Sequence, residues 1–315
     1  MGNRDRIDSK YAPSIEVAAS AGSAFERIAR AHALSRGAEG TRKLYLTDIA
    51  RWLAFCAKHG IDPGEPSMEA ATMYRDHLSG ALGPQSVRRE LSALSRMYRA
   101  AVNARPQGAT WNPFDSDALA RPPESNIAKT QTITEEETER VIAAAMANEA
   151  HGLCDVALLR LLHATGMRIS SALTLQRSKL FERNGVLVAR IRAKKKDEVE
   201  VEIPETATRP LRVWLEAAPA SKYVFPSRDG KGHMLRRVFA RRLETYGEVA
   251  GVERVHPHRF RAAFITDALD AGVPLHEVQA AVHHTDPSVT LRYDRGVRGT
   301  GVTSAVAAFR KKTPQ

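Results

Sequence analysis

Between Arg105 and Thr132 the chain changes character: Pro106, Gly108, Pro113, Pro122 and Pro123 fall among Asn and Asp residues with little apolar periodicity. Proline fixes φ and removes a backbone donor, and glycine leaves the backbone unconstrained, so no long helix or central strand is expected through such a stretch. The segment therefore splits the chain into two folding problems. With 315 residues in total, each half is long enough to bury a core of its own. The division predicted is a mobile N-terminal arm over residues 1–20, a helical domain over 21–105, an interdomain linker over 106–132 and a second domain over 133–315 that ends in a helix.

From Ala24 to Arg105 apolar residues recur at helical spacing. Leu44, Ile49, Trp52, Leu53 and Phe55 mark one helix, which Gly60 and Pro63 stop. Pro84 precedes a second, in which Val87, Leu91, Leu94, Met97, Tyr98 and Val102 form one stripe while Arg88, Arg89, Arg96 and Arg99 lie mainly elsewhere. After the linker, Thr134 followed by Glu135, Glu136 and Glu137 has the form of a capped helix start. His151 to Leu162 reads as an apolar helix, Thr165-Gly166 as a turn, and Arg168 to Leu175 as a helical segment whose first turn carries the arginine. Val186, Val188 and Ile191, then Val199, Val201 and Ile203, alternate like two strands of a hairpin whose tip holds Lys194, Lys195 and Lys196. From Arg236 onward the pattern is helical, broken by Gly251, Pro257, Gly272 and Pro287. The predicted fold is mainly α, with a small β-hairpin or sheet in an α+β second domain.

The chain holds 47 Lys and Arg against 36 Asp and Glu, a net charge of +11. Such an excess favours a polyanionic partner, since neutralising phosphates releases condensed counterions. No apolar run approaches the roughly 18 residues of a membrane span, and the opening MGNRDRIDSK has no apolar signal core; a soluble, cytoplasmic protein without a membrane partner is expected. Cys56 and Cys154, the only cysteines, sit far apart in apolar helical patterns and read as core residues in a reducing compartment.

One set of residues in the C-terminal half carries chemistry: Arg168 in Thr165-Gly166-Met167-Arg168-Ile169-Ser170, then His258-Arg259-Phe260-Arg261, then His284, then Tyr293. Two guanidinium forks fit the oxygens of a phosphate, the imidazoles can donate or shuttle protons, and the phenol offers an oxygen that can hold a phosphoryl group covalently. This combination suits breaking and rejoining DNA through a tyrosine. It needs no metal and no ATP. No Gly-x-x-x-x-Gly-Lys-Ser/Thr loop is present, and Gly230-Lys231 lacks both its spacing and its hydroxyl. His256 with His258, and His283 with His284, might be read as metal ligands, but no cysteine or carboxylate pair joins them at ligand spacing, and neither metal nor cofactor is expected.

These boxes resemble those of the phage-integrase family of tyrosine recombinases. Thr165 to Ser170 is similar to the family's first arginine box, Pro257-His258-Arg259-Phe260-Arg261 to its His-x-x-Arg box, and Val282-His283-His284-Thr285-Asp286 to its Leu-Gly-His box. Tyr293 follows His284 at the family's spacing. Thr41-Arg42-Lys43-Leu44-Tyr45 and Ser86-Val87-Arg88-Arg89-Glu90-Leu91 resemble two helices of its core-binding domain. The resemblance implies a two-domain clamp closing around double-stranded DNA, with Tyr293 attacking a backbone phosphorus to give a 3′-phosphotyrosyl bond and a free 5′-hydroxyl. Arg168 and Arg261 would grip the non-bridging oxygens, His258 would act as acid or base, and His284 would hydrogen-bond the phosphate. A hairpin lysine would protonate the leaving oxygen: counting back from Pro204, the family's spacing falls on Lys196, with Lys194 and Lys195 as rivals. Arg42, Lys43, Arg88 and Arg89 are implied backbone contacts. Four copies of the chain are implied on DNA, monomer or dimer when free, with Val302 to Phe309 a tether to a neighbour or a helix packed on its own domain.

Two positions depart from the family's pattern. Ser171 stands where a carboxylate is usual, and Ala262 where a second histidine often follows the arginine. Two other functions remain open at this level: a DNA-binding regulator that has lost the chemistry, and a type IB topoisomerase or telomere resolvase that uses the same attack.

Overall fold

A computed structural model describes residues 23–37, 39–104, 109–123, 132–192, 198–284, 287–291 and 293. The chain divides into two compact units, with the boundary between Asn126 and Ile127.

The first unit is built on α1 (Ala24–Leu34), α2 (Glu39–His59), α3 (Met68–Ala81) and α4 (Pro84–Asn103). Ser23 caps α1 by accepting from the Glu26 amide, and Ser67 caps α3 by accepting from Ala70. Gly60 ends α2 in the left-handed region at φ 67°. The α4 stripe is buried as its spacing requires, with Val87, Leu91, Leu94, Met97 and Tyr98 at 0% exposure. Leu44, expected in the α2 core, instead faces solvent; Tyr45, Ile49, Trp52, Phe55 and Cys56 fill the core. Trp52 donates from Nε1 to the Tyr98 hydroxyl at 2.8 Å, and Tyr98 in turn donates to the Pro63 carbonyl at 2.6 Å. Paired polar tips let these large rings be buried without stranding a donor.

Part of the segment expected as linker belongs to this unit. Ala109, Phe114 and Leu119 are buried in the same core, Phe114 edge-on to Trp52 with centroids 5.0 Å apart, and Trp111 Nε1 donates to the Pro66 carbonyl. Among the described residues 109–123 the prolines do keep the backbone out of helix and strand. They do not prevent packing, because three apolar side chains spaced by turns can still reach a core.

The second unit opens on α5 (Glu135–Met146), where the expected start is a full capping box: Thr134 Oγ1 accepts from the Glu137 amide and the Glu137 carboxylate accepts from the Thr134 amide. Helix α6 (Gly152–Thr165) is apolar on nearly every face, which requires burial all round. It packs against α5, α8 (Glu205–Ala217), α10 (Pro257–Asp270) and the strand Glu198–Ile203. Then come α7 (Ile169–Leu173), a short 3₁₀ turn at Arg177–Lys179, and an antiparallel sheet in the order β1 (Leu180–Arg183), β2 (Val186–Arg192), β3 (Glu198–Ile203). The hairpin β2–β3 is the one expected, in register Ala189↔Val201.

Strand β1 was not anticipated. Four half-exposed residues carry no clear alternation, yet Asn184 and Gly185, at φ 53° and 79°, form the two-residue turn that pairs β1 with β2. Helices α9 (Arg236–Ala250), α10, α11 (Leu275–Ala281) and α12 (Pro287–Leu291) complete the unit. Among the described residues no helix is long and apolar enough to cross a membrane.

Candidate active site

The site lies in the second unit and is assembled from three chain segments. Helix α6 ends at Gly166, whose φ of 60° turns the chain sharply. No side chain would fit there: an added Cβ would stand 2.8 Å from Phe264 Cγ. Arg168 follows two residues later as the N-cap of α7, in extended conformation and not within the first helical turn as expected. Helix α10 supplies His258 in its first turn and Arg261 one turn on, and α11 leads into Val282, His283 and His284.

The two arginines hold consecutive carbonyls of one strand of chain. Arg261, 4% exposed, donates from one terminal nitrogen to the Val282 carbonyl and from the other to the Gly166 carbonyl, each at 2.5 Å. Arg168 donates to the next carbonyl, that of His283, at 3.1 Å. Two guanidinium groups are thereby set side by side with donors to spare. Their mutual repulsion is part of the site's electrostatics: desolvation first, then Arg168, lowers the pKa of Arg261 to about 10. Among the described residues no carboxylate pairs with either arginine, and two cations set close together in this way favour an anion.

Tyr293 lies close enough to Arg261 for the charges of the two to interact. Its ring is 7% exposed, in an apolar cluster with Ala262, Ile265, Leu269, Val278 and Val282, and lies nearly parallel to the His284 ring at 6.5 Å between centroids. Its hydroxyl is 3.0 Å from His258 Nε2. His258 keeps part of its surface in solvent, but desolvation of the rest, followed by the fields of Arg261 and His256, lowers its pKa below the ordinary histidine value. A ring neutral at pH 7 with its proton on Nδ1 accepts the phenol's hydrogen bond and is ready to take its proton. His284 is held lower still, to about 4, by desolvation and then Arg261 and Arg168; its Nδ1 lies 2.9 Å from Thr290 Oγ1.

Thus Arg168, His258, Arg261, His284 and Tyr293, 125 residues apart from first to last by numbering, come together. Lys196, with Lys194 and Lys195, lies outside the described residues, as does Val302 to Phe309. Ser171 is half-buried on α7, and Ala262 is fully buried in the same apolar cluster as Tyr293.

One residue of the site passed unread in the sequence. Arg259, 6% exposed, donates to the carbonyls of Glu253 at 2.6 Å and Thr132 at 2.8 Å and pairs with Glu137 at 3.2 Å. It ties the first turn of α10, and so His258 and Arg261, to the start of the unit. Its place between the two marked residues was the only available signal.

The residues implied as backbone contacts lie in the first unit. Lys43 is exposed beside Glu39 at 2.9 Å; Arg42 donates to the Arg36 carbonyl at 3.4 Å. Arg88 donates to the Pro122 carbonyl at 2.8 Å. Arg89 is bidentate to Asp48, at 2.6 and 3.0 Å. Asp48 and Glu90 are both wholly buried, and burial pushes both carboxyls above their usual range. Arg51 and the Tyr74 hydroxyl complete the cluster at Glu90.

Comparison with known proteins agrees with this geometry. The model of the phage integrase family matches residues 131–296, and the tyrosine recombinase XerD of Rhizobium meliloti (strain 1021) is 31% identical over 270 residues, 81% of this chain and 85% of the relative. The chain belongs to the phage integrase family, the tyrosine recombinases. XerD of Vibrio cholerae serotype O1 is 29% identical over 266 residues, covering 81% of this chain and 85% of its own. Among solved structures, XerH site-specific recombinase bound to difH substrate matches with a TM-score of 0.70 at 14% identity, over 91% of this chain and 95% of that one. The Tn1549 transposon integrase in complex with circular intermediate DNA matches at 0.71 and 16%, over 90% and 99%. At such identities these structures establish a shared fold, mainly helical with a small sheet. For a tyrosine recombinase the phenol, the two guanidinium groups and the histidines are the expected complement, and all of them other than the hairpin lysine are found together in the second unit.

Proposed function

We propose that this tyrosine recombinase cleaves and rejoins duplex DNA at a specific site through a covalent bond to Tyr293. The observation that carries the reading is the Tyr293 hydroxyl at 3.0 Å from His258 Nε2, beside two arginines fixed on the consecutive carbonyls of Val282 and His283. As the phenol oxygen attacks phosphorus its proton passes to His258. The P–O5′ bond breaks, and Lys196 protonates the leaving 5′-oxygen. Arg168 and Arg261 take up the charge that grows on the non-bridging oxygens, the contribution that dominates phosphoryl transfer, while His284 hydrogen-bonds the phosphate. The phosphotyrosyl bond keeps the energy of the phosphodiester, so a 5′-hydroxyl from another strand reverses the attack and joins new partners without ATP.

Double-stranded DNA is the substrate, with Arg42, Lys43, Arg88 and Arg89 of the first unit toward the backbone and most affinity coming from phosphates. Lys43 is the freest of the four; Arg89 reaches DNA only with the part of its guanidinium that Asp48 leaves uncovered. Four protomers on two duplexes match the two strands cut in each, and the cytoplasm, where DNA lies, is the compartment.

The test uses duplex fragments of the DNA flanking the gene, labelled at their 5′ ends. The wild-type protein should retain label through denaturation, as the 3′-phosphotyrosyl link demands. Tyr293→Phe should bind the same fragments and retain none. A protein that binds but never retains label is a regulator without chemistry, and the recombinase reading fails.

A further inference from the structure

His283 adopts φ 52°, in the left-handed region where glycine is at ease and a side chain is strained. It does so at the edge of the site, one residue before His284, with its own carbonyl accepting from Arg168 at 3.1 Å. Its ring is half-buried, and Nε2 is fully buried with no hydrogen-bond partner among the described residues. Strain and a stranded polar atom are two separate costs borne by one residue. A glycine would remove both and leave the carbonyl that holds Arg168 in place. Buried polar atoms are almost always paired, and an exception beside the site's two arginines has a ready explanation in an acceptor that the substrate brings.

We propose that the His283 imidazole is a further phosphate ligand of this site, donating from Nε2 to the phosphodiester that Arg168 and Arg261 hold. The ring belongs to the residue whose carbonyl holds Arg168 and follows the residue whose carbonyl holds Arg261, and burial followed by the fields of those two arginines lowers its proton affinity. An arriving phosphate cancels much of that field and supplies an acceptor for Nε2. The two arginines then contribute charge and His283 a directional donor. This inference rests on the recombinase reading of the site.

His283→Gly separates ring from backbone, since the backbone relaxes and the Arg168 acceptor remains. On nicked duplexes carrying the cleavage position mapped with the wild-type protein, single-turnover covalent attachment by H283G should fall roughly 10- to 100-fold, the scale of one lost hydrogen bond to a charged group. Duplex affinity and melting temperature should hold or rise. His283→Asn, which tolerates the left-handed region and keeps an amide donor, should recover part of the rate. If H283G attaches as fast as the wild type, His283 is only a tolerated replacement for glycine and the inference is overturned, with the recombinase reading intact. If attachment falls but H283N recovers none of it, the donor role is likewise overturned. If the wild type itself shows no Tyr293-dependent attachment, both readings fall together.

Discussion

Replacing Gly166 by alanine strikes the turn on which the site hangs. At φ 60° an L-residue costs about 1–2 kcal/mol. The new methyl would meet Phe264, 2.8 Å at Cγ and 3.2 Å at Cβ, so the ring must tilt to admit it. Overpacking of this kind costs about 1–3 kcal/mol. The low end applies here because Phe264 borders a cleft of about 380 Å³, lined also by Glu135, His163 and Asp267, into which the ring can tilt. The sum, about 2–4 kcal/mol, lowers the melting temperature of the second unit by roughly 5–15 °C. Because the Gly166 carbonyl anchors Arg261, covalent attachment to DNA should fall at least about tenfold as well, assayed below the melting transition. A double-mutant cycle with Phe264→Ala isolates the two contributions: the steric part should vanish in the alanine background, leaving about 1–2 kcal/mol for the backbone. Were Gly166→Ala to melt within about 1 °C of the parent, or its cost to be the same with and without the Phe264 ring, the account of this turn would be wrong.

The histidines give the protein a signed response to acid. His284 is held at about 4 in the folded state, below its unfolded value near 6.5, so between those limits the unfolded chain binds more protons and stability drops as pH falls, with no effect above the window. At pH 5 the loss from this residue is about 1–2 kcal/mol after allowing for its partial exposure; His258 and His283, also lowered, act in the same direction. Melting curves at pH 7.5 and 5 should show the shift, reduced in His284→Gln. With His258 as the proton acceptor, attachment rates should be flat above about pH 6.5 and decline below the lowered pKa; a rate that rises on acidification would assign the histidine to the opposite role. In the first unit, Arg89→Ala leaves the buried Asp48 carboxylate without its bidentate partner and should cost about 3 kcal/mol in urea denaturation, while Asp48→Asn, which keeps the shape and removes the charge, should cost less. Burial pushes the thiols of Cys56 and Cys154 up to about 12, so a thiol reagent at pH 8 should label neither until the protein is denatured.

Much of this protein was readable one residue at a time. The α4 stripe, the capping box at Thr134 and Glu137, and the β2–β3 hairpin are local patterns, fixed by 3.6- and 2-residue periods and by the needs of unpaired amides. The misreadings share a cause, since each depends on what a segment meets in space. Leu44 fits the helical period but is left 41% exposed on the side away from the core. Phe114 sits among helix breakers yet finds the ring of Trp52. Strand β1 is too short to announce itself, although Asn184-Gly185 was a turn signal in plain view.

For the site, the sequence by itself supplied the chemical inventory: two guanidinium groups, imidazoles and a phenol, in the order and spacing of a tyrosine recombinase. Side-chain identity and separation along the chain are all that such a pattern encodes. Only the tertiary structure decided that Arg168 and Arg261 rest on neighbouring carbonyls, that the His258 imidazole reaches the Tyr293 hydroxyl, and that His283 bears a strained backbone and a nitrogen unpaired among the described residues. Distances, desolvation and the fields that move a pKa arise between residues remote in sequence. They exist only once the chain has closed upon itself.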